Sequence, residues 1–534
     1  MMTRRWSALA ALAMLLLACS FLTNGNPAGD PDVDADVNPA GNSAGAPALE
    51  NASDPNSSAA EQGDGTVDEP LGEQARESDG DEAAAFFAAD CPFAAPATFE
   101  VTCGYLAVPE NRTRPESATI ELAIAVVHAA VDEGRPPIIY LAGGPGGSAL
   151  DEFAADPEGW RYPFTETRDL ILLDQRGTGH SEPSLDCPEL AVVAAFTDEN
   201  PDVLCRDRLV GAGIDLAAYN TAENAADVAA LRRALGITEW DLLGISYGTR
   251  LALTIMRDHP EGVRSAVLDS VFPPNADTPV VEALAPLWSL QELFAECAGD
   301  VYCAENYPDL EAAFLETVSG LNDAPIEGLF GDDLVFAVSN ALNDTSLIPL
   351  IPSVIYAVAG GDTGALDELV TDESGFARPA AQPEEDRSDS EGMYNSVICH
   401  EEYVFDDYEA VEARVVAEIP DELEAALLRP VFDLFQLCSF WGAGRAAALE
   451  NEAVHSSIPT LLLAGQYDVA TPREWAYLAA ETLTHAFVLE IPGAGHSILS
   501  TDACAVDITA SFLDAPAQQP DSRCLEEIEW PYFE

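Results

Sequence analysis

Gly244-Ile245-Ser246-Tyr247-Gly248 is the segment of this sequence that speaks most directly of chemistry. It has the G-x-S-x-G spacing, follows the strand-like run Asp241 to Leu243 and opens a helix-like stretch to about Asp258. In that context a tight strand-to-helix turn pushes a serine hydroxyl into solvent, and glycines flank it because side chains would clash there. A serine nucleophile needs a base to take its proton and an acid to orient that base. Both follow along the chain. Leu461-Leu462-Leu463-Ala464-Gly465-Gln466-Tyr467-Asp468 puts Asp468 in a loop past an apolar run. Val488-Leu489-Glu490-Ile491-Pro492-Gly493-Ala494-Gly495-His496 does the same for His496, 28 residues later. His485 also follows Asp468, but it sits just before an apolar run rather than beyond one. Ser246, Asp468 and His496 are therefore expected to be nucleophile, orienting acid and general base of an acyl transfer.

Acyl transfer also needs backbone donors for the negative charge that forms on the substrate. The glycine-rich Leu141-Ala142-Gly143-Gly144-Pro145-Gly146-Gly147 directly follows the strand-like Ile138 to Tyr140 and can supply one. The N–H of Tyr247, next after the nucleophile, is the expected second donor. A phosphate-binding glycine loop does not fit, because the G-x-G-x-x-G spacing is missing and Pro145 has no N–H.

These groups need a scaffold that holds loops in fixed positions. Short apolar runs bounded by Gly, Pro or Asp occur at Ile138–Ala142, Leu170–Asp174, Asp241–Gly244, Ser265–Leu268, Thr460–Ala464 and Phe487–Ile491. Such runs predict strands buried on both faces. Thr221 to Leu235 reads as an amphipathic helix, with Thr221 as cap, Val228, Leu231 and Leu235 on one face, and Gly236 as stop. Strand–helix alternation from residue 117 onward predicts βαβ units and a mostly parallel α/β sheet with helices on both faces. Residues 275–455 are too long for a loop and contain helix-like Pro286–Ala295, Leu310–Leu321 and Tyr408–Leu428.

Five motifs together are specific: GGPGG, Asp174-Gln175-Arg176-Gly177-Thr178-Gly179-His180-Ser181, GISYG, GQYD and GAGHS. The sequence resembles the proline iminopeptidase and tripeptidyl aminopeptidase family of α/β-hydrolases from about Cys91 to Cys524, most of all its secreted tripeptidyl branch. That resemblance implies an α/β-hydrolase core in two parts, 89–274 and 456–534, around a helical cap at 275–455. It implies Gly144 and Tyr247 as oxyanion hole and Asp174 and Arg176 as structural residues. It also directs attention to Glu401 and Glu402, because Val397-Ile398-Cys399-His400-Glu401-Glu402 resembles a segment whose acidic residue faces the site. A peptide's free amino terminus is a cation, so carboxylates are what an aminopeptidase would place there. Ala142 stands where the iminopeptidases carry His, so strict proline specificity is not expected.

Composition narrows the chemistry further. All 23 basic residues are Arg and none is Lys, which excludes Schiff-base lysines, a GK[ST] phosphate loop and a Ser–Lys dyad. The net charge of −70 argues against nucleic acid and anionic membrane surfaces as partners. No His/Cys spacing suggests a metal site, and no cofactor is implied. Residues 1–18 read as an export signal: Arg4 and Arg5, an apolar run from Ser7 to Leu17, then Leu-Leu-Ala before Cys19. Cys directly after Leu-Leu-Ala resembles a bacterial lipoprotein signal, so lipid on Cys19 is expected. Residues 19–88 read as a disordered, self-repelling tether. Residues 20–90 carry −15 and Arg4 with Arg5 carry +2, which leaves −57 on the remainder.

The ten other cysteines suggest disulfides in an exported protein. Nearest-neighbour pairing joins Cys91 to Cys103, Cys187 to Cys205, Cys297 to Cys303, Cys399 to Cys438 and Cys504 to Cys524. Spacing alone does not fix this connectivity, so the pairing is an expectation.

The whole reading is an exported, lipid-anchored serine hydrolase, a monomer acting on peptides with a free amino terminus. It would be a tripeptidyl- or prolyl-type aminopeptidase working through an acyl-enzyme. An esterase or lipase-like hydrolase is the alternative, since the same groups serve esters, and a non-catalytic surface binding protein is the third reading.

Overall fold

The short apolar runs become strands because a parallel sheet buries both of its faces. The computed structural model describes residues 85–157, 159, 162–193, 200–369, 387–528, 530 and 532–533. Its strands are β1 (Ala85–Ala89), β2 (Val101–Pro109), β3 (Thr119–Val127), β4 (Ile138–Leu141), β5 (Leu170–Leu173), β6 (Trp240–Ile245), β7 (Val263–Asp269), β8 (Thr460–Gly465) and β9 (Ala486–Ile491). They lie in one sheet in the order β1-β2-β3-β5-β4-β6-β7-β8-β9. From β5 to β9 every pairing is parallel, while β1, β2 and β3 form an antiparallel edge. This is the α/β class expected. All described residues lie in one compact unit.

Strand alternation builds two cores. Along β8, Leu461 and Leu463 pack on one face with Phe153 and Phe512, while Leu462 and Ala464 pack on the other with Leu251 and Ile255. The same split runs through β4, with Ile138 and Tyr140 on one side and Ile139 and Leu141 on the other. Each fully buried Leu or Ile contributes about 1.5–3 kcal/mol, so a one-residue slip of these strands would forfeit much of the core.

Several boundaries differ from the sequence reading. The signal segment and Cys19 lie outside the described residues, as does most of the tether. The expected end of the tether at residue 88 is too late, because Ala85–Ala89 already forms the edge strand, with Phe86 opposite Leu106. The cap of the helix Thr221–Ala234 is Asn220, whose side chain accepts the Glu223 N–H at 2.9 Å, and not Thr221. The helix expected from Pro286 starts earlier, at Thr278, with Pro279 in its first turn and Pro286 inside it. The helix expected over Tyr408–Leu428 is two, Tyr408–Val415 and Glu424–Trp441. Pro420 separates them, because the residue before a proline is driven out of the helical region.

The described residues between β7 and β8 are mostly helical, including Leu310–Asp323, Gly331–Ala341, Ile351–Ala359 and Glu391–Glu401. They carry a core of their own, in which Leu290, Phe314, Val338, Ile355 and Val431 meet.

The ten cysteines pair as nearest neighbours, as the sequence reading expects. Cys91 is bonded to Cys103, Cys187 to Cys205, Cys297 to Cys303, Cys399 to Cys438 and Cys504 to Cys524. Their places differ. Cys91–Cys103 pins the segment after the edge strand to β2, and Cys187 and Cys205 are buried where the helices Pro188–Val193 and Pro201–Gly211 meet. Cys297 and Cys303 belong to the core of the insertion, and Cys504 ties the helix Ala503–Asp514 to the C-terminal Cys524. Cys399 and Cys438 join two helices of the insertion across 39 residues. Replacing both with Ser should lower the unfolding free energy by about 3–4 kcal/mol, from the entropy returned to the unfolded chain. A urea midpoint equal to that of the parent protein would show that this cross-link constrains little.

Candidate active site

β6 ends at Ile245, and the next residue, Ser246, has φ 56° and ψ −126° before the helix Tyr247–Asp258 begins. A non-glycine residue in that region carries about 1–3 kcal/mol of strain, which surrounding structure must hold. Two glycines make the turn possible. A Cβ on Gly244 would lie 2.4 Å from the Gly248 carbonyl oxygen, and one on Gly248 would lie 1.9 Å from that of Leu141. Ser246 N–H donates to the Asp269 carbonyl at 2.9 Å, and Ser246 O accepts from Thr249 N–H and Thr249 Oγ1 at 2.9 and 2.7 Å. Ser246 is half-buried, and its hydroxyl has no hydrogen-bond partner among the described residues.

Asp468 and His496 meet beyond β8 and β9. His496 Nδ1 lies 2.9 Å from Asp468 Oδ2 and 3.0 Å from Oδ1. A carboxylate only accepts, so Nδ1 carries the hydrogen and Nε2 is left as a base. Asp468 Oδ1 also accepts the N–H groups of Ala470 and Thr471 at 2.9 and 2.8 Å, and Oδ2 accepts Thr471 Oγ1 at 2.7 Å. Burial opposes the ionised Asp468, but the charge of His496 and these hydrogen bonds outweigh it and hold its pKa below the usual carboxylate value. Burial likewise opposes the imidazolium, yet the Asp468 charge and hydrogen bond hold the pKa of His496 above the ordinary histidine value.

The glycine loop after β4 lies against the serine. A Cβ on Gly143 would come within 3.0 Å of Ser246 Cβ, and Gly144 adopts φ +105°. β4 pairs with β6 in parallel, Leu141 opposite Gly244, so loop and serine turn leave the same edge of the sheet. Asp174 braces that loop. Its buried carboxylate accepts Ser148 Oγ at 2.9 Å, Leu150 N–H at 3.0 Å and His180 N–H at 2.8 Å. Arg176 is fully buried on Asp227, with Nε 2.8 Å from Oδ2.

Glu401 and Glu402 are not presented to a ligand as expected. Glu401 Oε1 accepts Thr221 N–H at 2.6 Å, and Oε2 accepts Thr221 Oγ1 at 2.6 Å and Arg250 Nε at 2.9 Å. Arg250 Nη2 lies 2.6 Å from Glu402 Oε1, and Thr278 Oγ1 donates to Glu402 Oε2. All three charged groups are buried. A carboxylate in a dry interior takes the nearest cation, and here that cation is Arg250, from the helix that Ser246 opens. Burial, only partly offset by Arg250, pushes Glu402 up to about 7.

Two groups at this site go beyond the sequence reading. Thr471 joins both triad candidates, with Oγ1 2.7 Å from Asp468 Oδ2 and 3.3 Å from His496 Nδ1. Its place three residues after Asp468 in Asp-x-x-Thr is a readable turn signal. Asp269, at the end of β7, accepts Ile498 and Leu499 N–H at 3.1 and 2.9 Å while its carbonyl holds Ser246 N–H. It thereby ties the serine turn to the histidine loop, and burial pushes it up to about 6. Its one sequence hint is a strand predicted to end one residue earlier. Among the described residues no group of three or more His, Cys, Asp or Glu is placed to hold a metal ion, and no helix is long and apolar enough to cross a membrane.

Residues 136–308 match the family profile described as alpha/beta hydrolase fold, and residues 429–524 match that described as TAP-like protein. The chain is 26% identical over 450 residues to the serine protease Hip1 of Mycobacterium tuberculosis strain H37Rv, covering 77% of this chain and 84% of that protein. It is 24% identical over 461 residues to the putative hydrolase YuaR of Escherichia coli K12, covering 80% and 88%. A shorter stretch of 197 residues is 32% identical to the tripeptidyl aminopeptidase of Streptomyces lividans, covering 33% and 36%.

Arg250 gives the site a measurable dependence. Arg250→Met would leave two buried carboxylates without their cation and should destabilise the fold by about 3–5 kcal/mol. Adding Glu401→Gln and Glu402→Gln should recover a large part of that loss. Equal stability of the single and triple variants, read by chemical denaturation, would remove this ion pair from its structural role.

Proposed function

We propose that this chain, an α/β-hydrolase with a TAP-like C-terminal segment, is a serine peptidase that removes short pieces from the free amino terminus of peptides. The observation that carries the reading is the buried Asp468 carboxylate on His496 Nδ1, set at the same sheet edge as the strained serine turn. Ser246 Oγ attacks the scissile carbonyl carbon while His496 Nε2 takes the hydroxyl proton. The N–H groups of Gly144 and Tyr247 stabilise the oxyanion of the tetrahedral intermediate. His496 then gives its proton to the departing amine, the C–N bond breaks, and the acyl group stays on Ser246. Water, deprotonated by His496, releases it.

The relatives named serine protease and tripeptidyl aminopeptidase support peptides over simple esters as substrate. The place of the enzyme is proposed as outside the cytoplasm, supported by five disulfides, which persist in oxidising compartments. Lipid on Cys19 would hold it to a membrane's outer face. Detergent phase partition tests the anchor: the wild type should enter the detergent phase and Cys19→Ser the aqueous phase, and identical partition would sink it.

Ser246→Ala should abolish turnover of amino-terminal chromogenic tripeptides and labelling by a fluorophosphonate. An enzyme that acts on a free amino terminus should lose about tenfold or more in kcat/KM when the same peptides are N-acetylated. Cleavage of short acyl esters with no cleavage of any free peptide would make the enzyme an esterase instead. The base must be neutral to act, so kcat/KM should rise with pH through a midpoint above about 6.5, the ordinary histidine value. Asp468→Asn removes the charge that raises this midpoint. It should move the limb to lower pH and cut kcat by about four orders of magnitude. A limb that stays in place would contradict the assignment of His496 as base.

A further inference from the structure

The helical insertion touches the proposed catalytic loops at backbone atoms. Its loop Asn343–Thr345 follows the helix Gly331–Ala341 and is anchored in the insertion's own core by Leu342, Leu347 and Ile348. From there Asn343 reaches both loops that carry the acid and the base. Its carbonyl accepts the His496 N–H at 2.8 Å, and its Oδ1 accepts the Val469 N–H at 3.2 Å, one residue past Asp468. Thr345 Oγ1 accepts the Gly495 N–H at 3.0 Å, one residue before His496. A second docking point lies on the glycine loop. Ser390 N–H donates to the Gly146 carbonyl at 3.1 Å, and Ser148 N–H donates to the Ser388 carbonyl at 2.9 Å.

The glycines at both points bear the mark of this contact. A Cβ on Gly495 would lie 2.3 Å from the Asn343 carbonyl oxygen, and one on Gly146 would lie 2.6 Å from that of Ser390. Neither clash involves the end of a flexible side chain, so neither can be relieved without moving the insertion's backbone away. At Gly495 the insertion's backbone leaves no room for a side chain, and at Gly146 the same contact adds to a backbone of φ +122° that already requires glycine.

Resting on the serine-hydrolase reading above, we propose that the insertion is part of the catalytic apparatus, with Asn343 and Thr345 as positioning residues that hold the Asp468 and His496 loops in register. The insertion supplies three acceptors to the acid and base loops, and without them both loops would lose that anchorage.

A probe small enough to need no peptide pocket separates positioning from substrate selection. In the full chain, Thr345→Val, Thr345→Ser and Gly495→Ala would be compared for kcat and KM on a cleaved peptide, for the rate of Ser246 labelling by a small fluorophosphonate, and for thermal unfolding. Thr345→Val and Gly495→Ala should each lower kcat and the labelling rate together, by about tenfold or more. KM should change by less than about twofold, and Thr345→Ser, which keeps the hydroxyl acceptor, should retain most of the rate. Labelling of both altered proteins at the wild-type rate, with only the peptide KM raised, would overturn the proposal and leave the insertion as a selector of substrates. Should Gly495→Ala fail to fold, the Thr345 pair decides alone. A wild type that is not labelled at all would overturn the serine-hydrolase reading first, whereas a labelled wild type with unaffected variants overturns only the positioning role.

Discussion

Asp468 is an anion with no access to water, and a lone buried carboxylate would either cost several kcal/mol or take up a proton. It stays ionised because an imidazole, two backbone N–H groups and a threonine hydroxyl converge on it within 3.0 Å. That requirement reaches far into the fold. The N–H groups come from the tight turn after β8, the imidazole from the loop after β9, and the loops themselves are held by Asp269 and by the Asn343 segment. A parallel sheet is suited to this, since the C-terminal ends of its strands share one edge and their loops meet there.

The serine is positioned by a different kind of constraint. Steric crowding at Gly244 and Gly248 forces the turn, and the left-handed backbone of Ser246 is the strained outcome. Hydrogen bonds from Ser246 to the end of β7 and from Thr249 back to Ser246 keep that strain in place. Polar convergence thus sets Asp468 and His496, and close packing sets Ser246, the proposed nucleophile. Asp269 joins the two halves because one residue serves both, through its carbonyl and its carboxylate.

The exclusive use of Arg acquires a structural meaning. Arg176 and Arg250 are wholly buried, and Arg168 nearly so, each against carboxylates and, for Arg176 and Arg168, backbone carbonyls as well. A planar guanidinium spreads its charge and offers several donors in fixed directions, so it satisfies such sites where a compact, strongly hydrated ammonium would not. In a chain of net charge −70 these cations sit where anions had to be buried.

Much of this was legible along the chain. Continuous apolar runs marked β4 to β9, and the order of Ser246, Asp468 and His496, each past such a run, marked the residues that could react. The cysteine pairing was an expectation that spacing could not fix; short loops favour near neighbours, and the structure joins Cys297 to Cys303 and Cys504 to Cys524. The edge strand β2 was less visible, because half-buried alternation is a weaker signal than a fully apolar run, and β1 is largely exposed. The sequence reading also missed the bounds of two helices: the one from Pro286 already starts at Thr278, with Pro279 in its first turn, and the one from Tyr408 is interrupted before Glu424, around Pro420.

The sequence by itself determined residue types and their order: which strands are buried on both faces, which turns need glycine, which side chains carry chemistry. Only the tertiary structure decided that Glu401 and Glu402 belong to Arg250, that Asn343 holds His496, and that Gly146 and Gly495 make room for the insertion. Those are contacts between segments more than a hundred residues apart, set by burial and by backbone atoms, and neither leaves a periodic trace in a linear string.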